Sequence, residues 1–226
     1  MLGTIVNAAA VLIGGGVGLL LKRGLPKRVS DAIMGGVALL VTYIGIDGVL
    51  DGQKTIVAVL SMVVGAAIGS WIDIDAGLTR LGAFAEKRLN AGHEDSRLAE
   101  GFVSASLLFC VGAMAVVGAL NSGLSGNHDI LLAKALIDGV TACVLASTLG
   151  AGVLLSALAV FVYQGAIALL ASALAPVLSD AVVAEMSCVG SLLIIGIGLN
   201  MLNVTKLKLA NYLPAIILPI LFCRLF

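Results

Sequence analysis

Apolar runs about as long as a bilayer crossing follow one another along nearly the whole chain, and the short stretches between them hold most of the charge. A hydrocarbon core about 30 Å thick takes about 20 apolar residues per helix. Eight segments meet that demand: 2 to 21, 29 to 49, 55 to 72, 101 to 120, 130 to 148, 151 to 171, 181 to 202 and 210 to 226. The boundary between the fifth and sixth rests on Gly150 and Gly152 alone, in the stretch "TLGAGV". In the longest polar stretch, Ile74, Leu78, Leu81 and either Phe84 or Ala85 recur at helical spacing against Asp75, Arg80, Glu86, Lys87 and Arg88. That pattern predicts an amphipathic helix lying on the membrane surface. A solvated linker helix is the alternative reading, because several of its apolar positions are only alanine or glycine.

The distribution of basic residues tests the count of crossings independently of hydropathy. With the N-terminus outside, Lys22, Arg23, Lys27, Arg28, Arg80, Lys87, Arg88, Arg97, Lys206 and Lys208 fall inside. Only Lys54 and Arg224 fall outside, and Lys134 lies within a span. Fusing the fifth and sixth segments would move Lys206 and Lys208 outside. The expectation is therefore an all-α integral membrane protein of about eight transmembrane helices, with both termini outside.

Composition agrees with that class. Of 226 residues, 60% are hydrophobic and 12% charged, with a mean hydropathy of +1.15, against roughly 45 to 50% and 25% in an average soluble domain. Thirteen basic residues balance thirteen acidic ones and aromatics make up 4%, so no basic, aromatic-studded surface points to nucleic acid. The expected partners are the lipid bilayer and a small solute or ion. Cys110, Cys143, Cys188 and Cys223 lie in separate apolar runs with no metal-ligand spacing, and read as small buried hydrophobes. The apolar N-terminus has no basic residue before it and no cleavage site, so it reads as a retained first span.

Residues 2 to 32 align without gaps to residues 151 to 181, with eleven identities in 31 positions, where this composition gives roughly three by chance. Gly3 matches Gly152, Gly16 matches Gly165, and Ser30-Asp31-Ala32 matches Ser179-Asp180-Ala181. In both copies the serine is placed to cap the following helix, with an acid after it. The copies begin at the first and sixth segments, so they enter the membrane from opposite sides. One transmembrane domain is expected over 1 to 226: a first repeat over about 2 to 72, a cytoplasmic segment 73 to 100, central helices over 101 to 148 and a second repeat over about 151 to 226. Inverted repeats of this kind build many secondary transporters, and they also occur in channels.

The polar residues inside the spans are the candidate site. Lys134 and Asp138 stand four apart near the middle of the fifth segment, on one helix face. Each alone costs about 2.5 to 3.5 kcal/mol at a helix centre, so they are expected to face the interior, as a cation or proton site or as a structural ion pair. Asn7 aligns with Ser156, and Gln164 precedes the repeated Gly165. These residues can bind solute near the repeat axis or make interhelical hydrogen bonds. Glu185 lies in the first turns of the seventh segment, where an acid also suits the helix dipole. Pro214 and Pro219 interrupt the eighth segment, which predicts a kinked or broken helix whose freed carbonyls can coordinate ions.

The glycine pairs Gly14 with Gly18 and Gly65 with Gly69 have GxxxG spacing, for packing within the bundle or in a homodimer. No HExxH, P-loop or dinucleotide fingerprint occurs, and His93 and His128 lie in loops. An enzyme and a cofactor are therefore not expected.

Three stretches carry a resemblance to a known family: "SLLFCVGAMAVVGALNSGL" at 106 to 124, "LLAKALIDGVTACVLASTLGAGVLLSALAVFVYQG" at 131 to 165, and "EMSCVGSLLIIGIGLNML" at 185 to 202. The chain resembles the YqgA-like bacterial inner-membrane proteins, a family of unknown function, over nearly its whole length. The resemblance implies a bacterial cytoplasmic membrane location and brings no substrate, cofactor or catalytic residue. The residues themselves suggest a secondary transporter of a small polar solute or ion. An ion channel, or a structural or regulatory membrane protein, is the alternative.

Overall fold

The structure is a computed structural model that describes residues 1–22, 27–77, 80, 98–111 and 113–225. Its helices are α1 (Leu2–Lys22), α2 (Lys27–Val49), α3 (Thr55–Ile72), α4 (Leu98–Cys110), α5 (Ala113–Leu124), α6 (Asp129–Leu149) and α7 (Gly152–Leu169). The short α8 (Ala171–Leu174) and the long α9 (Asp180–Met201) follow, then a 3₁₀ segment Leu209–Ile216 and α10 (Pro219–Phe222). No strand occurs among the described residues.

Among the described residues, six helices are long and apolar enough to cross a membrane: α1, α2, α3, α6, α7 and α9. A seventh crossing arises if α4 and α5 count as one, although they are bent 60° relative to each other. The fourth apolar segment was expected to be one span over 101 to 120. Its break falls between the end of α4 at Cys110 and the start of α5 at Ala113.

The eighth expected span is not one helix. The 3₁₀ segment contains Pro214, and α10 begins at Pro219. Each proline removes an N–H donor and crowds the preceding turn, so an α-helix cannot run through both. The fifth and sixth segments do separate. Gly150 takes φ 82° and ψ −155° between α6 and α7, a conformation open essentially to glycine alone. Gly150→Val should therefore lower stability by about 1 to 3 kcal/mol, read as a fall in the thermal midpoint of the purified protein.

Ser179 is the N-cap of α9 and accepts a hydrogen bond from the Val182 N–H at 3.5 Å. Its counterpart Ser30 lies inside α2, which starts at Lys27. Lys27, Arg28 and Val29 are all tolerated in a helix, so α2 starts three residues before Ser30. The amphipathic helix expected within 73 to 100 falls largely outside the described residues.

Helix contacts follow the glycines. A Cβ on Gly14 would fall on the Gly139 carbonyl oxygen, one on Gly18 on that of Cys143, and one on Gly3 on the Leu131 side chain. The absence of these atoms lets α1 lie parallel against α6 along its whole length. Helix α7 crosses α1 in the opposite sense, with Leu154 beside Gly15 and Gly165 nearest Met1. In the same way α2 runs antiparallel to α9, with Thr42 at Gly198 and Ser191 at Gly48. Helix α3 runs antiparallel to the 3₁₀ segment, with Ala215 at Gly65 and Asn211 at Gly69. Both GxxxG pairs are thus used inside the bundle.

The core joins these pairs through Val11, Val41, Phe109, Leu145, Val153, Val160 and Leu193, all buried. α9 is the most buried span. Of the four cysteines, all free, Cys188 is buried and the other three are only half-buried, because their spans turn part of their surface outward.

Candidate functional site

Close packing of α1 on α6 brings Asn7 level with Asp138, and the crossing of α7 brings Gln164 to the same point. Lys134 Nζ donates to both carboxylate oxygens of Asp138, at 2.8 Å to Oδ1 and 2.7 Å to Oδ2. Asn7 Nδ2 donates to Asp138 Oδ2 at 3.0 Å and to Gln164 Oε1 at 3.3 Å. Lys134 is 6% exposed, Asp138 3%, and Asn7 and Gln164 are fully buried. The buried carboxylate fixes the sense of the amides, since only the Asn7 NH₂ can donate to it.

The cluster is held but not saturated. An ammonium has three N–H groups and a carboxylate about four acceptor positions. Asp138 uses two of the former and receives three bonds in all, which leaves room for one further ligand on each partner. Beside it, Asn7 Oδ1, Gln164 Nε2 and the hydroxyl of Thr4 are buried with no hydrogen-bond partner. Thr4 lies one turn before Asn7 on the same face of α1. Three idle polar groups in a dry region are costly, and such groups recur where a ligand or water is accommodated.

On its other side the ion pair faces a cavity of about 260 Å³ bounded by α2, α6 and α9 and by the junction of α4 and α5. Lys134, Asp138 and Thr141 line it from α6, Asp47 from the C-terminal end of α2, Asp51 from the turn after it, and Ser187 and Ser191 from α9. Asp47 and Asp51 are exposed. The lining thus holds three carboxylates and one ammonium, together with hydroxyls, in a space large enough for several waters.

The remaining candidates lie elsewhere. Ser156 is buried, but its hydroxyl donates to the Val153 carbonyl of its own helix at 2.6 Å. The segment bearing Pro214 and Pro219 packs chiefly on α3 and α9. Its buried Asn211 accepts the Asp75 N–H at 2.8 Å, which ties the chain after α3 to the broken segment. Glu185, near the N-terminal end of α9, accepts two backbone N–H groups of the turn before α3, as described below.

Thr4, Asp47, Asp51, Ser187 and Ser191 were not singled out from the sequence. Ser187 and Ser191 stand four apart on one helix face, and Asp47 and Asp51 have the same spacing in sequence although Asp51 falls in the turn after α2. That spacing was the available signal. The same spacing can face lipid, protein or water, and only the antiparallel packing of α2 on α9 turns both pairs toward Asp138.

A family model described as "Protein of unknown function (DUF554)" matches residues 2–224. The chain belongs to this family. It is 31% identical over 223 residues to the "Uncharacterized membrane protein YdfK" of Bacillus subtilis (strain 168), covering 97% of this chain and 94% of that protein. It is 30% identical over 223 residues to the "Uncharacterized protein YqgA" of Escherichia coli (strain K12), covering 96% and 94% respectively. No solved structure matches. The family match, the relative's name and the apolar helices together make this chain a polytopic membrane protein of an uncharacterised family.

Proposed function

We propose that the chain is a secondary transporter that moves a small cation or cationic solute across the bacterial cytoplasmic membrane. The carrying observation is the cavity that reaches Asp138 and Lys134 through a lining with an excess of carboxylates. In this reading Asp138 binds the cation and Lys134 is its tethered substitute, holding the carboxylate when the site is empty and withdrawing when cargo arrives. Asn7 orients the carboxylate, while Gln164 and Thr4 offer the idle groups that a second arrangement of the site would engage. The chain acts by moving its cargo, with no chemistry performed on it.

The arrangement of the helices supports an inverted repeat as the moving scaffold. Each helix of the first repeat packs antiparallel on its counterpart: α1 on α7, α2 on α9, and α3 on the 3₁₀ segment. Carrying the register of the aligned copies onward pairs Gly45 with Ile194 and Gly65 with Pro214. Gly45 lies against Ile195 and Gly65 against Ala215, so the contacts fall where a two-fold axis in the membrane plane would put them. In this scheme the bent α4 and α5 make one crossing and the proline-broken segment the eighth. Both termini then lie outside, and Lys206 and Lys208 lie inside.

A packing role for the ion pair is the competing reading, favoured by its burial and its bond to Asn7. The two readings diverge on ligand binding. A screen of monovalent inorganic cations and methylammonium, which has no alkyl tail, should raise the thermal midpoint of the wild type, and Asp138→Asn should lose that response while keeping its fold. A wild type that responds to none of them would leave only the packing role.

A further inference from the structure

Glu185 stands on the second turn of α9 and is 2% exposed. Its Oε1 accepts the backbone N–H groups of Gln53 and Lys54, both at 2.7 Å. Lys54 is the N-cap residue of α3 and makes no side-chain cap of its own, so the carboxylate caps that helix from a neighbouring element. Its second oxygen, Oε2, is buried and has no hydrogen-bond partner. Lys54 gives only its backbone N–H and forms no ion pair with it. A carboxylate with half its acceptors idle in a dry site lacks a donor or a cation.

The space beside it indicates which kind. Glu185 lines a cavity of about 410 Å³ together with Val49, Ala58, Val59, Met62, Val63 and Leu192, and with little polar beyond Thr55 and Cys188. Val59 and Val63 are 54% and 65% exposed on the outward side of a membrane-spanning helix, so the cavity opens toward lipid. A bare metal ion would find one carboxylate and no further ligand set. An anionic headgroup would meet uncompensated negative charge.

We propose that this cavity is a second binding site, separate from the Asp138 cluster, for an amphiphile that carries a primary ammonium group. The ammonium donates to Glu185 Oε2 and the alkyl part lies along Val59, Val63 and Leu192. Such a ligand arrives either as a free alkylamine or as the ethanolamine headgroup of a membrane lipid. The site does not depend on the transport reading.

The test uses the full-length protein in nanodiscs of phosphatidylglycerol, with hexylamine, hexanol and hexanoate as probes and the thermal midpoint as readout. Hexylamine should stabilise saturably, and hexanol and hexanoate should not. Glu185→Gln keeps the acceptor that caps α3 and removes the charge, so it should fold and bind hexylamine at least about tenfold more weakly. Val59→Trp fills the cavity without touching the carboxylate and should weaken hexylamine by a similar factor.

A second set of discs containing phosphatidylethanolamine separates the two sources. Loss of the hexylamine response there assigns the site to the lipid headgroup, and persistence assigns it to free amines. Equal responses to hexylamine and hexanol, or a hexylamine response untouched by both Glu185→Gln and Val59→Trp, would overturn the proposal.

Discussion

Asp138→Ala is expected to cost about 3 to 5 kcal/mol of stability, the usual penalty for leaving one partner of a buried ion pair without the other. Lys134, 6% exposed, would keep a charge whose two short bonds both go to Asp138, and Asn7 Nδ2 would lose its better acceptor. The companion experiment is the double replacement Lys134→Met with Asp138→Leu. Removing both charges together is neutral, or stabilising by about 1 to 4 kcal/mol, so this variant should fold at least as well as the wild type. Denaturation of the purified single and double variants checks both expectations. A folded double variant with no response to cations separates the need for the charges in function from their need in folding.

The second large effect concerns the seam between α1 and α6. A Cβ at Gly14 or Gly18 would land on the carbonyl oxygens of Gly139 and Cys143 respectively, and backbone cannot step aside as a flexible side chain can. Overpacking a core commonly costs about 1 to 3 kcal/mol, and Gly14→Val together with Gly18→Val should exceed that and yield a misassembled protein. Gly16 is the control: a Cβ there meets nothing within 4 Å, so Gly16→Ala should be neutral or stabilising by about 0.5 to 1 kcal/mol. The midpoints of the three variants, measured in one detergent, check the order. The same seam sets the 3.0 Å contact of Asn7 with Asp138, so milder changes such as Gly14→Ala should weaken cation binding before they unfold the chain.

Much of this arrangement can be read from the residues, for reasons that differ from place to place. Lys134 and Asp138 stand out because charge is rare in an apolar span and their spacing admits one geometry. The separation of α6 from α7 was legible through the distribution of lysines and arginines, and Gly150 supplies its local cause. The two prolines of the last segment announce its break.

The bend between α4 and α5 was hidden because the residues on either side of it are as apolar as the rest of the segment, and a continuous apolar run gives no sign of where a helix turns. Ser30 suggested a cap because its repeat mate is one, yet the residues before it are good helix formers. The cavity was least legible. In a membrane both the lipid face and the protein face of a helix are apolar, so periodicity does not say which side meets a neighbour. The roles of Asp47, Asp51, Ser187 and Ser191 come from the packing of α2 on α9, which no local pattern expresses.

The most direct measurement is charge movement in proteoliposomes after rapid exchange among sodium, potassium, ammonium and small organic amines. It should compare the wild type with Asp138→Asn and with the double variant Lys134→Met, Asp138→Leu. The account predicts transient currents in the wild type for at least one of these cations, and none in either variant although both are folded. Currents of equal size in all three proteins, or none in a wild type shown to be folded and correctly inserted, would contradict it.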